Sequence, residues 1–414
     1  MPKNQIKGKR VLVVSQHFWP ETFRINDICD YLVEEGVEVD VLCGIPNYPK
    51  GQFFSGYGLL KNRTQTHNKV TIRRAYEIPR GNNSNLRILL NYISFPISTL
   101  FHIPRLLTKK YDKIFLYQTS PVLMIIAGLI VGKIRRTETT LYVLDLWPEN
   151  LFSVLRVNNR ILIKLATVVS HWHYKKADKI IVLSEKMKEK IQNVTGIPEN
   201  KITVLIQTSE KVYETDIIDK KLSSRFNKTF NITFAGNISP AQSLDTLIKS
   251  AVQLKEEGYN DIRWIIVGDG MSRSWLESEV KKNKLSDIFF FEGQKPIEDV
   301  PRYTTISDVL IGCLVKSDLL DATIPAKVMS YLAAGKPMVL AMDGEVQELI
   351  NNTIQCGKVG PTEDHTTLSS NIKYIYNLSP SDRKKMGDLG RAYHFEHFER
   401  NIILKKLVAF MFNS

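Results

Sequence analysis

Residues 324–345 constrain the fold of this chain more than any other stretch. Pro325 suits the first turn of a helix, and apolar side chains recur at helical spacing as far as Ala334. Gly335 then supplies a left-handed cap, and Pro337 forbids continuation. Met338-Val339-Leu340-Ala341 follows as a short apolar run of the kind that forms a buried strand. A helix closed by Gly-x-Pro and delivered at once into a buried strand fits an α/β layer, in which helices cover both faces of a parallel sheet. Lys327 falls one turn into the helix, where backbone amides and the helix dipole favour an anion. Any βαβ unit shares this pattern, so it indicates the class of fold and leaves the chemistry open.

The rest of the chain repeats the alternation. Residues 10–15, 37–43, 70–74, 111–117, 139–144, 178–183 and 201–206 read as strands separated by helical patterns or turn-rich loops. The polar segment 207–227 marks a boundary, after which 231–235, 264–267, 288–291 and 309–315 restart the series. This predicts two Rossmann-like β/α/β domains, 1–206 and 207–390, whose strand carboxyl ends face each other across a cleft. A length of 414 residues agrees, since a single core rarely grows that large. The remaining residues, 391–414, read as a C-terminal helix packing back on the first domain.

The formal net charge of +13 calls for an anionic partner: nucleic acid, a membrane surface or a phosphorylated substrate. The excess is uneven. Between Lys50 and Lys110 the basic residues meet a single acid, Glu77. Within that region, 86–107 is apolar, free of acids and interrupted by Pro96 and Pro104. Two readings stand open for it, a pair of core helices broken at the prolines or an interfacial segment resting on anionic lipid. No apolar run approaches the ~18 residues of a membrane span. The basic start leads into a strand too short for a signal-peptide core, so export is not expected. Cys29, Cys43, Cys313 and Cys356 are scattered without C-x-x-C spacing, as for buried reduced thiols of a cytosolic protein.

Several residues at predicted strand ends carry candidate chemistry. Asp145 and Glu149 flank Trp147-Pro148, where paired carboxylates orient a hydroxyl or take its proton; the competing reading is that Asp145 caps the next helix. His17, ending the first strand, is a candidate for a phosphate or sugar hydroxyl, against a purely structural role. Gly236, Asn237 and Gln242 precede a helix at the end of the second domain's first strand, a position that suits a diphosphate. Gly268-Asp269-Gly270 starts like a dinucleotide fingerprint, but Arg273 stands where the third glycine belongs. A backbone approach to a nucleotide and a plain tight turn both remain open there. His171 and His173 lie on different faces of a helix, which suits no metal. There is no D-x-D pair at a strand end, no H-E-x-x-H and no Walker loop, so a metal-dependent phosphate site is not expected.

Assembled, the stretches Phe18-Trp19-Pro20-Glu21, Gly44-Ile45-Pro46-Asn47-Tyr48-Pro49-Lys50-Gly51, Asp145-Leu146-Trp147-Pro148-Glu149, Phe234-Ala235-Gly236-Asn237-Ile238, Val267-Gly268-Asp269-Gly270 and 325–337 resemble the family 4 retaining glycosyltransferases of the GT-B fold. Asn-Tyr-Pro-x-Gly combined with Asp-Leu-Trp-Pro-Glu is similar to the L-fucosamine transferase-like enzymes of O-antigen and capsule assembly. The resemblance implies transfer of a sugar, expected to be an N-acetylamino sugar, from a UDP donor, with retention and without metal or other cofactor. The implied acceptor is an undecaprenyl-diphosphate-linked saccharide at the inner face of a bacterial membrane, with the protein cytoplasmic and peripheral on that anionic surface. Nucleic acid is not expected, because the aromatic residues sit among aliphatics.

By the same resemblance the first domain binds acceptor and the second binds donor. Asp145, Glu149 and His17 fall on the catalytic side. Gly236, Asn237, Gln242, Gly268, Gly270, Lys327, Asp321 and Glu345 fall around the donor. The sequence departs from the family where a spaced pair of glutamates is usual, since those positions hold Ala322 and Ser330. The usual Arg and Lys near the second domain's first strand are replaced by Asn237 and Gln242, leaving Lys327 to supply charge to the diphosphate. Thr22-Phe23-Arg24 stands where a glycine pair is often found after the first strand. Two competitors are a UDP-N-acetylglucosamine 2-epimerase-like enzyme of the same fold and a non-catalytic binding subunit of a polysaccharide assembly complex.

Overall fold

The computed structural model describes residues 6–81, 84–149, 159–209, 211–318 and 320–413. The chain forms two compact units, one comprising Met1–Ile206 with Leu404–Ser414 and the other Gln207–Ile403. In the first unit the strands are β1 (Arg10–Val14), β2 (Glu38–Cys43), β3 (Thr64–His67), β4 (Val70–Arg74), β5 (Lys113–Gln118), β6 (Thr139–Val143), β7 (Lys179–Val182) and β8 (Ile202–Val204). They line up as β3-β4-β2-β1-β5-β6-β7-β8, parallel except where β3 runs antiparallel to β4. In the second unit β9 (Phe230–Ala235), β10 (Ile262–Val267), β11 (Phe289–Gly293), β12 (Val309–Cys313), β13 (Met338–Ala341) and β14 (Gly357–Gly360) form an all-parallel sheet ordered β11-β10-β9-β12-β13-β14.

The central strands are continuous apolar or β-branched runs because helices cover both sheet faces, and β6, β9 and β12 are buried at every residue. In each sheet the first strand has its successor on one side and a later strand on the other. The direction in which successive strands are laid down therefore reverses between β1 and β5, and between β9 and β12, although each pair is parallel. Such switch points leave a crevice at the strand carboxyl ends, where loops and helix N-termini converge. Leu404, Leu407, Val408 and Met411, on the helix Arg400–Phe412, join Ile25, Leu32 and Val39 in the first unit's core.

Three local features differ from the sequence expectation. β3 is polar throughout, and its place at the sheet edge removes any need for apolar side chains. β14 is a Gly-Lys-Val-Gly strand whose glycines lie against neighbouring backbone and side chains, so it carries little apolar signal. Pro96 does not end its helix, which runs from Asn85 to Leu100. That helix buries Ile88, Asn91, Tyr92, Phe95 and Thr99 and exposes Leu86, Leu90, Ile93, Ile97 and Leu100. The helix thus has a core face, as the first reading for 86–107 expects, and an apolar face that is exposed.

The stretch that dictated the fold forms the helix Ala326–Ala334, closed by Gly335 at φ +65° and followed by β13. A Cβ on Gly335 would lie 2.5 Å from the Arg391 side chain, so the left-handed cap and the packing both select glycine. Tyr331 pins the helix to the sheet: its hydroxyl donates to the Ile311 carbonyl at 3.0 Å and accepts from the Ala235 amide at 3.1 Å. Tyr331→Phe strands two buried backbone groups and is expected to cost ~1–3 kcal/mol in urea unfolding. An unchanged stability would show that the hydroxyl does not secure this helix.

Candidate functional site

In the second unit the loops following β9 and β10 are joined backbone to backbone. The Gly236 amide donates to the Val267 carbonyl and the Ile238 amide to the Asp269 carbonyl, both at 2.9 Å. A Cβ on Gly268 would sit 1.9 Å from the Gly236 carbonyl oxygen, and one on Gly270 2.4 Å from Asn237 Oδ1. The glycine pair is therefore there to let two loops touch. Gly268 and Gly270 also spend their amides internally, on the Gly293 carbonyl and on Asp269 Oδ1. Gly236 differs, because a Cβ there would meet only the end of the Lys327 side chain, at 3.8 Å. Its missing side chain leaves room in front of that ammonium.

Lys327 projects from the first turn of the helix Ala326–Ala334. Its Nζ donates to Gln242 Oε1 and lies 4.1 Å from the centroid of the Phe234 ring. Among the described residues no carboxylate pairs with it. Burial pushes the ammonium down to about 8, with Cys313 acting weakly the other way. The helix has no side-chain cap and no acid in its first turn, so its amide groups and dipole add to the positive potential. A partly desolvated cation held by an amide oxygen and a ring, beside an uncapped helix N-terminus, has the chemistry to attract an anion.

The positions of the family's glutamates are not exposed. Ala322 is 1% and Ser330 7% accessible, and the Ser330 hydroxyl bonds back to the Ala326 carbonyl at 3.4 Å. Asp321 and Glu345 are brought together instead. Gly344, at φ +89°, packs so that a Cβ would lie 2.2 Å from the Asp321 carbonyl oxygen, and Glu345 follows it at the start of a short helix. Both side chains are half-buried.

In the first unit His17 and Glu21 are buried, and His17 Nδ1 lies 2.9 Å from Glu21 Oε2. The imidazole stacks on Phe23 at 4.6 Å. Glu21 Oε1 accepts the backbone amides of Asn47 and Tyr48, both at 2.7 Å, and so ties the loop after β1 to the loop after β2. Asp145, after β6, accepts from the Ser120 hydroxyl at 2.9 Å, and Trp147 Nε1 donates to that hydroxyl at 3.0 Å. Asp145 is half-buried and Glu149 exposed. Sequence reasoning missed the role of Glu21 and the hold of Phe234 on Lys327. Glu21 was visible only as part of the Phe-Trp-Pro-Glu loop, and its partners lie a whole βα unit away.

Family comparison now adds to this geometry. A model described as Glycosyltransferase Family 4 matches residues 23–205, and one described as Glycosyl transferases group 1 matches residues 216–393. The chain belongs to the family 4 glycosyltransferases. This glycosyltransferase is 24% identical over 348 residues, 81% of its own length and 83% of the relative's, to WcaI of Escherichia coli K12, named as a colanic acid biosynthesis glycosyl transferase. Sucrose-phosphate synthase from Thermosynechococcus elongatus superposes with a TM-score of 0.72 at 14% identity, covering 97% of each chain. Anabaena HepE, solved in complex with UDP and glucose, superposes at 0.67 with 16% identity over 97% of this chain and 98% of HepE. The glycosyltransferase thus has the GT-B fold and is an enzyme of the hexosyltransferase type.

Glu21 is the group on which the first-unit loops depend. Glu21→Gln keeps its shape but places an amide N–H₂ or an uncharged oxygen against three donors, and is expected to cost ~1–3 kcal/mol of stability in urea unfolding. A wild-type unfolding midpoint would show that the carboxylate does not hold the loops.

Proposed function

We propose that this glycosyltransferase moves a sugar, with retention, from a UDP-sugar to a lipid-diphosphate-linked saccharide in the assembly of a bacterial surface polysaccharide. The observation that carries the reading is Lys327, a cation the fold desolvates without giving it a carboxylate. Departure of UDP concentrates negative charge on the diphosphate, and stabilising it is what such a transfer most needs. Lys327 and the amides of its helix take up that charge without a metal ion, with Gln242 orienting the ammonium and Gly236 leaving space before it. Asp321 and Glu345 are placed to hold the nucleotide's ribose, replacing the absent glutamate pair. Asp145, steadied by Ser120, orients the acceptor hydroxyl; Glu149 and His17 line the same end of the first sheet. UDP in the HepE structure and the polysaccharide role named for WcaI support this choice of donor and pathway class. An N-acetylamino sugar is the donor residue proposed.

The acceptor lipid implies an anionic membrane surface, and two helices of the first unit suit one. The helix Asn85–Leu100 exposes Leu86, Leu90, Ile93 and Ile97, and the helix Arg160–Lys176 exposes Ile161, Leu165, Val168 and Trp172. Both pack against the segment Val122–Ile125. Exposed Arg87, Arg105, Arg160, Lys164, Lys175 and Lys176 flank these stripes. Apolar stripes edged by cations fit a peripheral interface with anionic lipid better than a soluble epimerase. No helix among the described residues is long and apolar enough to cross a membrane. Four buried free thiols suit the cytoplasmic side, where nucleotide sugars are used.

Incubation with UDP-sugars, with and without a polyprenyl-diphosphate saccharide, should give acceptor-dependent UDP release; epimerised free UDP-sugar, or no release, would overturn the reading. Lys327→Ala should weaken UDP binding by roughly tenfold or more with little change in stability. The sign of the pH effect follows from the lowered lysine pKa: an anion favours the charged form, so affinity falls as pH rises through about 8 and binding there takes up a proton. Calorimetry at pH ~8.5 in buffers of different ionisation enthalpy measures that uptake; its absence would remove Lys327 from the diphosphate site. Ile93→Glu combined with Leu165→Glu should abolish sedimentation with anionic vesicles while leaving the melting temperature intact. Undiminished sedimentation would exclude this face.

A further inference from the structure

The single acid in the basic segment, Glu77, is fully buried just after β4, and Gln16 and Asn91 beside it are buried as well. Gln16 Nε2 donates to Glu77 Oε2 at 2.5 Å and to Asn91 Oδ1 at 3.1 Å. Asn91 Nδ2 donates to the same Glu77 oxygen at 3.0 Å and to the Ile78 carbonyl at 2.8 Å. Glu77 Oε1 lies against Gly44, where a Cβ would be 2.0 Å away, and has no hydrogen-bond partner; Gln16 Oε1 has none either. Asn91 Oδ1 also accepts from Arg80 Nε at 3.3 Å, so the network ends on a half-buried guanidinium.

That guanidinium lies over the Tyr92 ring at 5.4 Å and forms no ion pair among the described residues. Tyr92 meets Trp147 edge-on at 5.7 Å, and Trp147 bonds Ser120, which bonds Asp145. Arg80 and Asp145 are therefore linked by one chain of contacts through buried Tyr92 and Trp147. The Gly81 amide donates to the Gly51 carbonyl at 2.8 Å, and the Arg87 side chain comes within 3.9 Å of the Cβ position of Gly81. Arg87 thus stands beside Gly81, the residue after Arg80, and Lys50 precedes the glycine that Gly81 meets. The segment from Lys50 to Lys110 holds one acid among its basic residues, and that acid is buried.

We propose that Arg80 is the docking point for a phosphoryl group of the acceptor, and that Glu77, acting through Asn91, is its positioning residue. This rests on the lipid-diphosphate acceptor reading above. A planar guanidinium in this basic segment, without an ion-pair partner among the described residues, suits a phosphate ester whose oxygens accept its fork of N–H donors. An ionised Glu77 would be the natural competitor for Arg80. Desolvation, with Glu21 adding to it, pushes the Glu77 carboxyl up to about 8, against the opposing pull of Gln16, Asn91 and Arg80. The shift favours the uncharged acid, which leaves the charge on Arg80 available to a ligand.

The experiment titrates inorganic pyrophosphate into enzyme saturated with UDP. Arg80→Ala should weaken pyrophosphate by roughly tenfold or more and raise the KM for lipid-linked acceptor more than it lowers kcat. Glu77→Ala should weaken it too, and Glu77→Gln should restore it at neutral pH. Wild-type affinity should fall relative to Glu77→Gln as pH rises through about 8, a comparison in which the ligand's own titration cancels. Melting temperatures identify any variant that fails to fold, and Arg80→Lys, with charge kept but the fork lost, should fall between. Pyrophosphate that binds Arg80→Ala as well as wild type, or does not bind wild type at all, overturns the proposal. A pH dependence shared by wild type and Glu77→Gln removes Glu77 from it. Wild type that fails to bind UDP but shows Arg80-dependent pyrophosphate binding overturns the donor reading and leaves this one standing.

Discussion

Burying an ammonium without a carboxylate costs free energy that a fold recovers only by surrounding the group with oriented dipoles or by supplying an anion from outside. The second unit does the first incompletely. Gln242 offers one amide oxygen and Phe234 the face of its ring, while the near end of the same helix contributes amide donors that cannot compensate a cation. Much of the local architecture serves to keep Lys327 there. Tyr331 fixes the helix against β9 and β12, Gly335 lets the chain turn directly into β13, and the bare Gly236 keeps the approach open.

The loops that carry candidate chemistry are held together by contacts only glycine permits. Gly268 against the Gly236 carbonyl, Gly51 against the Gly81 carbonyl and Gly44 against the Glu77 carboxyl all bring separate βα loops into van der Waals contact at strand carboxyl ends. Where glycine does not suffice, Glu21 bridges two loops with charge-assisted bonds to backbone amides. A doubly wound sheet creates the crevice, but short loops around it would move independently. These contacts convert them into a fixed surface, which is what orienting an acceptor hydroxyl or a leaving group requires.

Most of the fold was legible because its signal is local. Apolar runs such as Val11-Leu12-Val13-Val14 and the helix-Gly-x-Pro-strand unit declare themselves without reference to distant residues. The polar edge strand β3 and the glycine-bounded β14 gave no such signal, since both rely on neighbours for their pairing. Lys327 was legible from its place in the helix, yet Phe234 beneath it was not, because the two meet only in the folded sheet. Gly268 and Gly270 were visible as a glycine pair after a strand, but sequence could not tell that their amides are spent within the protein. Glu77 stood out as the one acid among many bases, while its burial against Gln16 and Asn91 depended on strands and a helix far apart in the chain. The apolar stripe of the helix Arg160–Lys176 was hidden because an exposed stripe and a core stripe have the same spacing.

The two units arrive at one electrostatic device by different means. In the second, a lysine is desolvated beside neutral partners; in the first, an arginine sits next to a carboxyl kept neutral by burial. A cation paired with a carboxylate would offer a phosphate little, because binding would first have to break or share an existing ion pair. Neutral partners such as Gln242 and Asn91 fix the direction of the cation while leaving its charge uncompensated. The net charge of +13 supplies attraction at long range, where salt screens it, whereas a desolvated cation such as Lys327 acts where screening is weak. On the reading proposed, donor and acceptor each carry a diphosphate, and withholding the counter-charge in each unit is a simple way to receive both.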